Sequence, residues 1–279
     1  MFNKTGLLTM GLLLVLIVPL CANSADSVVI DGDLRISGFG SLVFSDGSVQ
    51  NSATVQGPKG DTGPQGLQGP QEPGAPAYTS LTYYALGDSI TYGGGSNSED
   101  YSYADVLHAK FTFKSFTKLA VTGVTTMTFP GRSELADQVS SIGADADIIT
   151  VLIGMNDYQL GNPLGDANAV LQKPYESLDR SLSFAEAFRY CLETIKRNHM
   201  QAVIYVILPL QTRLGGPVSL EQFRTTEITI ANYLSIPVIF ANTESGLWSG
   251  GTLIPDGAHP NDTGHTVLAN YIARRIIGL

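Results

Sequence analysis

Cysteine, positive charge and long apolar runs are all scarce in this chain of 279 residues. The two cysteines, Cys21 and Cys191, are too few for a disulfide framework or a cysteine-rich zinc site. Only 16 lysines and arginines stand against 25 acidic residues, so the net charge is −9. Nucleic acids and anionic lipid surfaces are bound by clustered basic side chains, so neither is an expected partner. An apolar fraction of 43% is still enough for a sizeable core.

The most apolar stretch, residues 7–20, is shorter than the about 20 residues that a membrane span needs. Lys4 precedes it and small residues follow at 22–25, a pattern typical of a secretory signal peptide over residues 1–24. We therefore expect export to a bacterial envelope or the exterior, and no stable membrane insertion after cleavage. Lipid attachment at Cys21 remains an alternative, although the large Leu20 before it disfavours this, and an uncleaved anchor is another.

Residues 25–56 form a short β-prone segment with two similar pieces. Residues 28–30 precede Asp31-Gly32, and residues 42–44 are followed by Asp46-Gly47. Because Asp-Gly tolerates the positive φ angles of tight turns, each piece is predicted to be a strand and turn. A segment this short cannot bury much of a core alone.

Glycine occupies every third position from Gly57 to Gly69, within a linker that we place at residues 57–78. Only glycine fits at the axis of a collagen triple helix, so this period indicates a collagen-like segment. Glu72 interrupts the period after five triplets. Two interpretations stay open, namely a homotrimer formed through residues 26–71 and a polyproline-type spacer that does not associate.

Residues 79–279 are predicted to be one α/β domain, because near-continuous apolar runs alternate with amphipathic helical patterns. Buried parallel strands have such runs, so we expect a mostly parallel sheet with helices on both faces. Cys191 falls on the apolar face of one helix and is interpreted as core packing. The predicted strands are 83–86, 116–121, 147–153, 202–208 and 237–240, and the clearest helices are 182–198, 219–234 and 263–278.

Polar residues that follow these strands are the candidate site, because ligands of such folds bind at the carboxyl ends of the strands. Ser89 follows the first strand at a predicted helix start, where its hydroxyl and N–H both face a cleft. Asn156 follows the 147–153 strand, and its amide can donate to an oxyanion. Gly123 follows the weaker second strand. Each has an ordinary alternative as helix cap, turn residue or loop glycine.

His259 differs from the other three histidines because it lies on a predicted loop, three residues after Asp256. That spacing allows Asp256 to fix the imidazole tautomer while the other ring nitrogen faces Ser89. A turn with a chance histidine, or half of a metal site, is the alternative. We expect no metal, because a metal site needs more ligands than this cleft supplies. His108, His199 and His265 fall in helical patterns.

Taken together, these blocks resemble the SGNH hydrolase superfamily of GDSL-type lipases and acylhydrolases. The matching segments are Gly87-Asp88-Ser89, Gly123, Gly154-Met155-Asn156-Asp157 and Asp256-Gly257-Ala258-His259-Pro260. The resemblance covers about residues 80–279 and implies a flavodoxin-like three-layer α/β/α sandwich without metal or cofactor. It also implies that Ser89 is the nucleophile, His259 the base, Asp256 its orienting partner, and Ser89, Gly123 and Asn156 the oxyanion hole. Residues 119–122 lack the asparagine often seen before the second-block glycine, which leaves Gly123 the least secure of these assignments.

The expected function is that of a secreted serine ester hydrolase acting on a small-molecule or carbohydrate ester with a short acyl group. Two other classes remain, an acyltransferase using the same triad and a surface or adhesive protein with an idle hydrolase-like domain. Gly93-Gly94-Gly95 is expected to form a pliable rim. Tyr92, Tyr101 and Tyr103 are expected either to form an aromatic wall against the substrate or to take part in ordinary packing.

Overall fold

The structure, a computed structural model, describes residues 42–43, 49–50 and 78–276. The chain divides into two units, Met1–Gly69 and Pro70–Leu279. The proposed signal peptide (1–24), the first strand-turn piece (28–32) and the glycine triplets (57–71) lie outside the described residues. The interpretations of those segments therefore remain predictions.

In the first unit, two short strands pair antiparallel. Strand β1 is Leu42–Val43 and strand β2 is Val49–Gln50, with Val43 opposite Val49. Asp46-Gly47 lies between them, as expected for a hairpin connection.

The second unit is built on a five-stranded parallel sheet with the order β4-β3-β5-β6-β7. Strand β3 pairs with β4 on one side and with β5 on the other, so its Tyr83 lies opposite both Phe116 and Ile148. All five predicted strands are confirmed, although β4 begins one residue earlier and ends three residues sooner than expected. The strands are β3 (Thr82–Gly87), β4 (Ser115–Lys118), β5 (Ile148–Leu152), β6 (Val203–Ile207) and β7 (Val238–Ile239).

Nine α-helices occur in residues 78–276, and the three predicted long ones are confirmed with ends shifted by one or two residues. Of the shorter helices, the start of α1 at Ser89 and the helical pattern around His108 in α2 were predicted. The others were not, since helices of this length depend on tertiary packing rather than on a sequence period. They are α1 (Ser89–Tyr92), α2 (Tyr103–Phe111), α3 (Leu135–Ser140), α4 (Met155–Leu160), α5 (Ala167–Leu171), α6 (Phe184–Asn198), α7 (Leu220–Tyr233), α8 (Ala241–Glu244) and α9 (Asp262–Ile276), with a 3-10 turn at Tyr175–Ser177.

Two separate apolar cores lie on the two faces of the sheet, because alternate strand residues point to opposite sides. Tyr84 and Leu86 pack with helices α3 to α7, whereas Tyr83 and Ala85 pack with α1, α2, α8 and α9. The predicted three-layer α/β/α sandwich is thus confirmed. Cys191 is fully buried in the first core, and this burial raises the pKa of its thiol, in keeping with a packing role. Within the described residues, no helix has the length and apolarity required to span a bilayer.

Candidate active site

Ser89 lies at the carboxyl end of β3, as the first residue of helix α1. Asp88 caps this helix, because its Oδ1 accepts a hydrogen bond of 3.0 Å from the Ile90 N–H. The end of the strand is fixed from α3 by the buried amide of Gln138. Its Oε1 accepts from the Gly87 N–H at 2.8 Å, and its Nε2 donates to the Gly87 carbonyl at 2.9 Å. The backbone on which Ser89 is mounted is therefore held on both sides.

His259 and Asp256 lie on the loop before α9, and this loop meets the end of β3. The Ser89 Oγ and the His259 Nε2 are 2.9 Å apart, and the His259 Nδ1 is 2.7 Å from the Asp256 Oδ2. The three side chains thus form one hydrogen-bonded chain, although Ser89 is 170 positions from His259 in the sequence.

The Asp256 carboxylate also receives two backbone bonds. Its Oδ1 accepts from the Ala258 N–H at 2.8 Å and from the His259 N–H at 2.7 Å. Partial burial opposes ionisation, but these bonds and the bond from the imidazole outweigh it and lower the pKa of Asp256. The ionised carboxylate accepts a hydrogen bond from the His259 Nδ1–H. The Nε2 of the same ring is then unprotonated and can accept from the Ser89 hydroxyl.

The imidazole of His259 rests against two glycines of the loop after α1. A Cβ on Gly94 would lie 3.0 Å from the His259 Cδ2, and a Cβ on Gly95 would lie 2.8 Å from the His259 Cβ. Gly95 also has a φ of +86°, which favours glycine. This segment, for which a pliable rim was expected, packs closely against the histidine.

A buried histidine that sequence reasoning passed over holds this glycine segment in place. His265 donates from Nε2 to the Gly94 carbonyl at 3.1 Å and accepts at Nδ1 from the Tyr103 N–H at 3.2 Å. Burial lowers the pKa of His265, so the neutral imidazole serves as both donor and acceptor. Its position inside the long helix α9 offered no sequence signal for this role.

Three candidate oxyanion donors stand around Ser89. The N–H groups of Ser89 and Gly123 donate to no acceptor among residues 78–276. Gly123 has a φ of +77° in the turn that follows β4. Asn156, on α4 at the end of β5, uses one amide hydrogen for the Val124 carbonyl at 2.9 Å, and its second amide hydrogen remains for a substrate.

A second carboxylate, Asp157, fixes the loop that carries Gly123. It is fully buried, and its two oxygens accept from the N–H groups of Thr126 at 2.7 Å and Met127 at 3.1 Å. Asn162 also donates to it, at 2.8 Å. Burial raises the pKa of Asp157, and these bonds oppose that rise. The motif Gly154-Met155-Asn156-Asp157 contains this residue, but only the fold reveals what it holds.

Two further buried carboxyls lie beneath the site with oxygens that no described residue hydrogen-bonds. They are the Oδ2 of Asp88 and both oxygens of Glu227. Burial raises the pKa of Asp88 to about 6, with the Ile90 N–H and His259 opposing the rise. Burial also raises the pKa of Glu227 well above its usual range. The charged form of Glu227 is therefore disfavoured by its burial.

The tyrosines expected to form an aromatic wall have separate environments. Tyr103 is fully buried in the core beside α9, so it is not part of a wall. Tyr92 donates to a Glu99 carboxylate oxygen, and the hydroxyl of Tyr101 pairs with that of Thr266 at 2.9 Å. Among the described residues, no three His, Cys, Asp or Glu side chains form a group that could hold a metal ion.

Comparison with known proteins decides the family. The sequence profile of the GDSL-like Lipase/Acylhydrolase family matches residues 85–267. The chain belongs to this family. That range contains Ser89, Gly123, Asn156, Asp256 and His259.

Solved structures similar to this GDSL-family chain share its fold. One is a Lactobacillus plantarum protein, 21% identical with a TM-score of 0.62 over 71% of this chain and 97% of that one. Another is a possible lipase from Chitinophaga pinensis, 22% identical with a TM-score of 0.55 over 71% and 99% of the two chains. A third is phospholipase A1 from Streptomyces albidoflavus, 15% identical with a TM-score of 0.50 over 70% and 98%. Curated protein sequences give no significant match. At these identities the likeness concerns the fold alone.

Proposed function

We propose that this GDSL-family protein is a secreted serine ester hydrolase that cleaves carboxylic esters through an acyl-enzyme. The observation that carries the proposal is the continuous hydrogen-bonded chain from the Ser89 Oγ through His259 to Asp256, with distances of 2.9 Å and 2.7 Å. Within such a chain the imidazole can take the serine proton while the carboxylate stabilises the resulting imidazolium.

In the acylation step, His259 removes the Ser89 proton at Nε2 as the Ser89 Oγ attacks the ester carbonyl. The carbonyl oxygen becomes negatively charged, and the donors available for it are the N–H groups of Ser89 and Gly123 and the second amide hydrogen of Asn156. His259 then gives its proton to the departing alkoxide, and the alcohol leaves.

In the deacylation step, His259 takes a proton from water, which attacks the acyl-Ser89 carbonyl. The same three donors stabilise the second tetrahedral intermediate, and the returning proton restores the Ser89 hydroxyl. An added alcohol or sugar acceptor that competed with water would give the transferase reaction instead, so product analysis with such acceptors separates the two activities.

Short acyl groups and polar, carbohydrate-like alcohols are the substrates that we favour. The triad is open to solvent, since the side chains of His259 and Asp256 are 31% and 52% exposed. An open site suits a polar ester, whereas a long acyl chain gains most from a deep apolar channel. Export, proposed on residues 1–24, would bring the enzyme to such esters outside the cell.

Hydrolysis of p-nitrophenyl acetate, butyrate and octanoate by the mature protein tests the proposal. Turnover should be abolished in Ser89→Ala and retained in Ser177→Ala, a matched loss of a hydroxyl in an exposed 3-10 turn. The order of rates along the acyl series ranks the length of the pocket. Turnover that survives in Ser89→Ala, or failure of a fluorophosphonate to label Ser89, would refute the serine mechanism.

The N-terminal proposals have their own measurements. Mass spectrometry of exported protein should give a chain that begins at Ala25, whereas a lipidated product would begin at Cys21. Light scattering of the mature protein should show three copies if residues 26–71 trimerise, and one copy if they form a spacer.

A further inference from the structure

Most arginines among residues 78–276 of this acidic protein are paired with carboxylates, and three are not. Residues 78–276 contain eight arginines, and five of them lie within 4.0 Å of an Asp or Glu oxygen. The remaining three are Arg132, Arg213 and Arg274. With a net charge of −9, carboxylates are not in short supply. Shortage of carboxylates therefore does not explain why these three arginines have no carboxylate partner among the described residues.

Arg132 lies on the loop that follows β4, against the candidate oxyanion loop. Its Nη1 donates to the Gly123 carbonyl at 2.8 Å, and the residue is otherwise exposed. A guanidinium has five N–H donors, so this single bond leaves most of the fork available. The charge therefore sits next to the turn that carries Gly123, a candidate oxyanion donor.

Arg213 lies on the loop that follows β6, against the catalytic loop. Its backbone N–H donates to the Gly257 carbonyl at 2.8 Å, and the Thr212 hydroxyl donates to the same oxygen at 3.1 Å. The stem of Arg213 covers Gly257, because a Cβ there would lie 2.9 Å from the Arg213 Cβ. Gly257 lies between Asp256 and His259.

The loop of Arg213 also reaches the helix of the candidate oxyanion asparagine. The Tyr158 hydroxyl, on α4, donates to the Leu214 carbonyl at 3.2 Å. The loop thus connects the Asn156 helix with the catalytic loop. In the sheet, β4 and β6 flank the β3-β5 pair that carries Ser89 and Asn156. The loops of Arg132 and Arg213 accordingly rise on opposite sides of the site.

We propose that Arg132 and Arg213 form a cationic rim that selects ester substrates carrying a carboxylate away from the scissile bond. A guanidinium fork pairs bidentately with carboxylate oxygens, and both side chains lack such a partner within the described residues. The net negative field of the protein repels anions at long range, so two local cations at the entrance decide which anions dock. This inference rests on the proposed esterase function and deepens it by naming the substrate class.

Matched pairs of esters test the rim on the acyl side and on the alcohol side. The acyl pair is p-nitrophenyl hexanoate and mono-p-nitrophenyl adipate, and the alcohol pair is 4-acetoxybenzamide and 4-acetoxybenzoate. Each pair differs by one carboxylate. The readout is the ratio of kcat/KM for the anionic ester to kcat/KM for the neutral one, at low and at high salt.

Arg132→Gln and Arg213→Gln are the test variants, and Arg274→Gln is the control. Arg274 is an exposed arginine near the end of α9, and its replacement changes the net charge by the same amount. We expect each rim variant to lower the ratio by about threefold to fivefold, the range of an exposed ion pair, and high salt to remove the difference. Arg213→Lys should keep most of the ratio. The pair that responds identifies the side of the ester that bears the charge.

An unchanged ratio in both rim variants overturns the proposal, as does an equal fall in Arg274→Gln, which would indicate a general charge effect. Ser89-dependent turnover of the neutral esters would then leave the esterase function intact. Binding of adipic acid monoanilide and hexananilide to the Ser89→Ala protein gives a readout without turnover. Tighter binding of the anionic anilide that is lost on Arg213→Gln supports the rim even if hydrolysis fails, and equal binding of both refutes it.

Discussion

Replacing Asn156 with alanine should separate catalysis from stability. The side chain of Asn156 has two tasks, since one amide hydrogen binds the Val124 carbonyl at 2.9 Å and the other is available to an oxyanion. Loss of an oxyanion donor costs about 2.7–4 kcal/mol of transition-state stabilisation, which corresponds to a fall in kcat of about 10²–10³. Because the donor acts on the developing charge, we expect KM to change little.

The bond to Val124 sets the cost to the fold. One hydrogen bond contributes about 0.5–1.5 kcal/mol to the free energy of unfolding, and about 1 kcal/mol shifts Tm by about 2–4 °C in a domain of this size. The loop should keep its place, because Asp157 holds Thr126 and Met127 independently.

The assay for Asn156→Ala is steady-state hydrolysis of a short p-nitrophenyl ester, with a thermal melt of the same preparation. A kcat within about tenfold of wild type would remove Asn156 from the oxyanion hole. If the predicted fall in kcat came with a large drop in Tm, the substitution would have disordered the loop rather than removed one donor. Only a low kcat with a nearly intact melt supports the assignment.

Two further predictions concern carboxyls. Asp256→Asn should lower kcat by up to about 10⁴-fold, because its amide forces the His259 Nδ1 to accept and so blocks Nε2 as a base; near-wild-type kinetics would refute this orientation. Glu227→Gln should gain stability over wild type as pH rises. The buried carboxyl has a raised pKa in the folded protein. Its contribution to the free energy of unfolding is therefore fully present below about pH 4.5, the usual pKa of a glutamate, and is lost as the pH rises. Melts at about pH 5 and about pH 8 check this, and a constant Tm difference contradicts it.

The fold could be predicted from the sequence where burial leaves a pattern along the chain. Strand β5 is buried at every residue, and helix α6 has one apolar face, so both are visible as runs and periods. Helices α1 and α4 have only four and six residues, and they exist because strand ends and caps such as Asp88 position them. So short a segment shows no helical period, and the start of α1 was predicted only from the place of Ser89 after the first strand.

The reacting side chains could be predicted because their chemistry restricts the residue type. A serine after a strand and a histidine three residues after an aspartate carry a recognisable pattern. The supporting residues carry none, since Gln138 is 51 positions from the Gly87 backbone that it binds, and His265 is 171 positions from the carbonyl of Gly94. Any side chain with a donor and an acceptor could fill these roles, so only the folded chain identifies them.

These supporting residues explain how a site made of loops can be rigid. Every element of the candidate machinery lies outside the strands, where no sheet ladder fixes the backbone. Instead, buried polar groups replace the ladder: Gln138 binds Gly87, Asp157 binds Thr126 and Met127, and His265 binds Gly94. The bonds of Gln138 and Asp157 lie in the protein interior, where an unmade partner costs about 1–3 kcal/mol, and that of His265 is partly buried. The loops are therefore held in one arrangement, and the N–H groups of Ser89 and Gly123, the proposed oxyanion donors, have no acceptor among residues 78–276. That preorganisation is what oxyanion stabilisation requires, since donors fixed in advance need no reorganisation during the reaction.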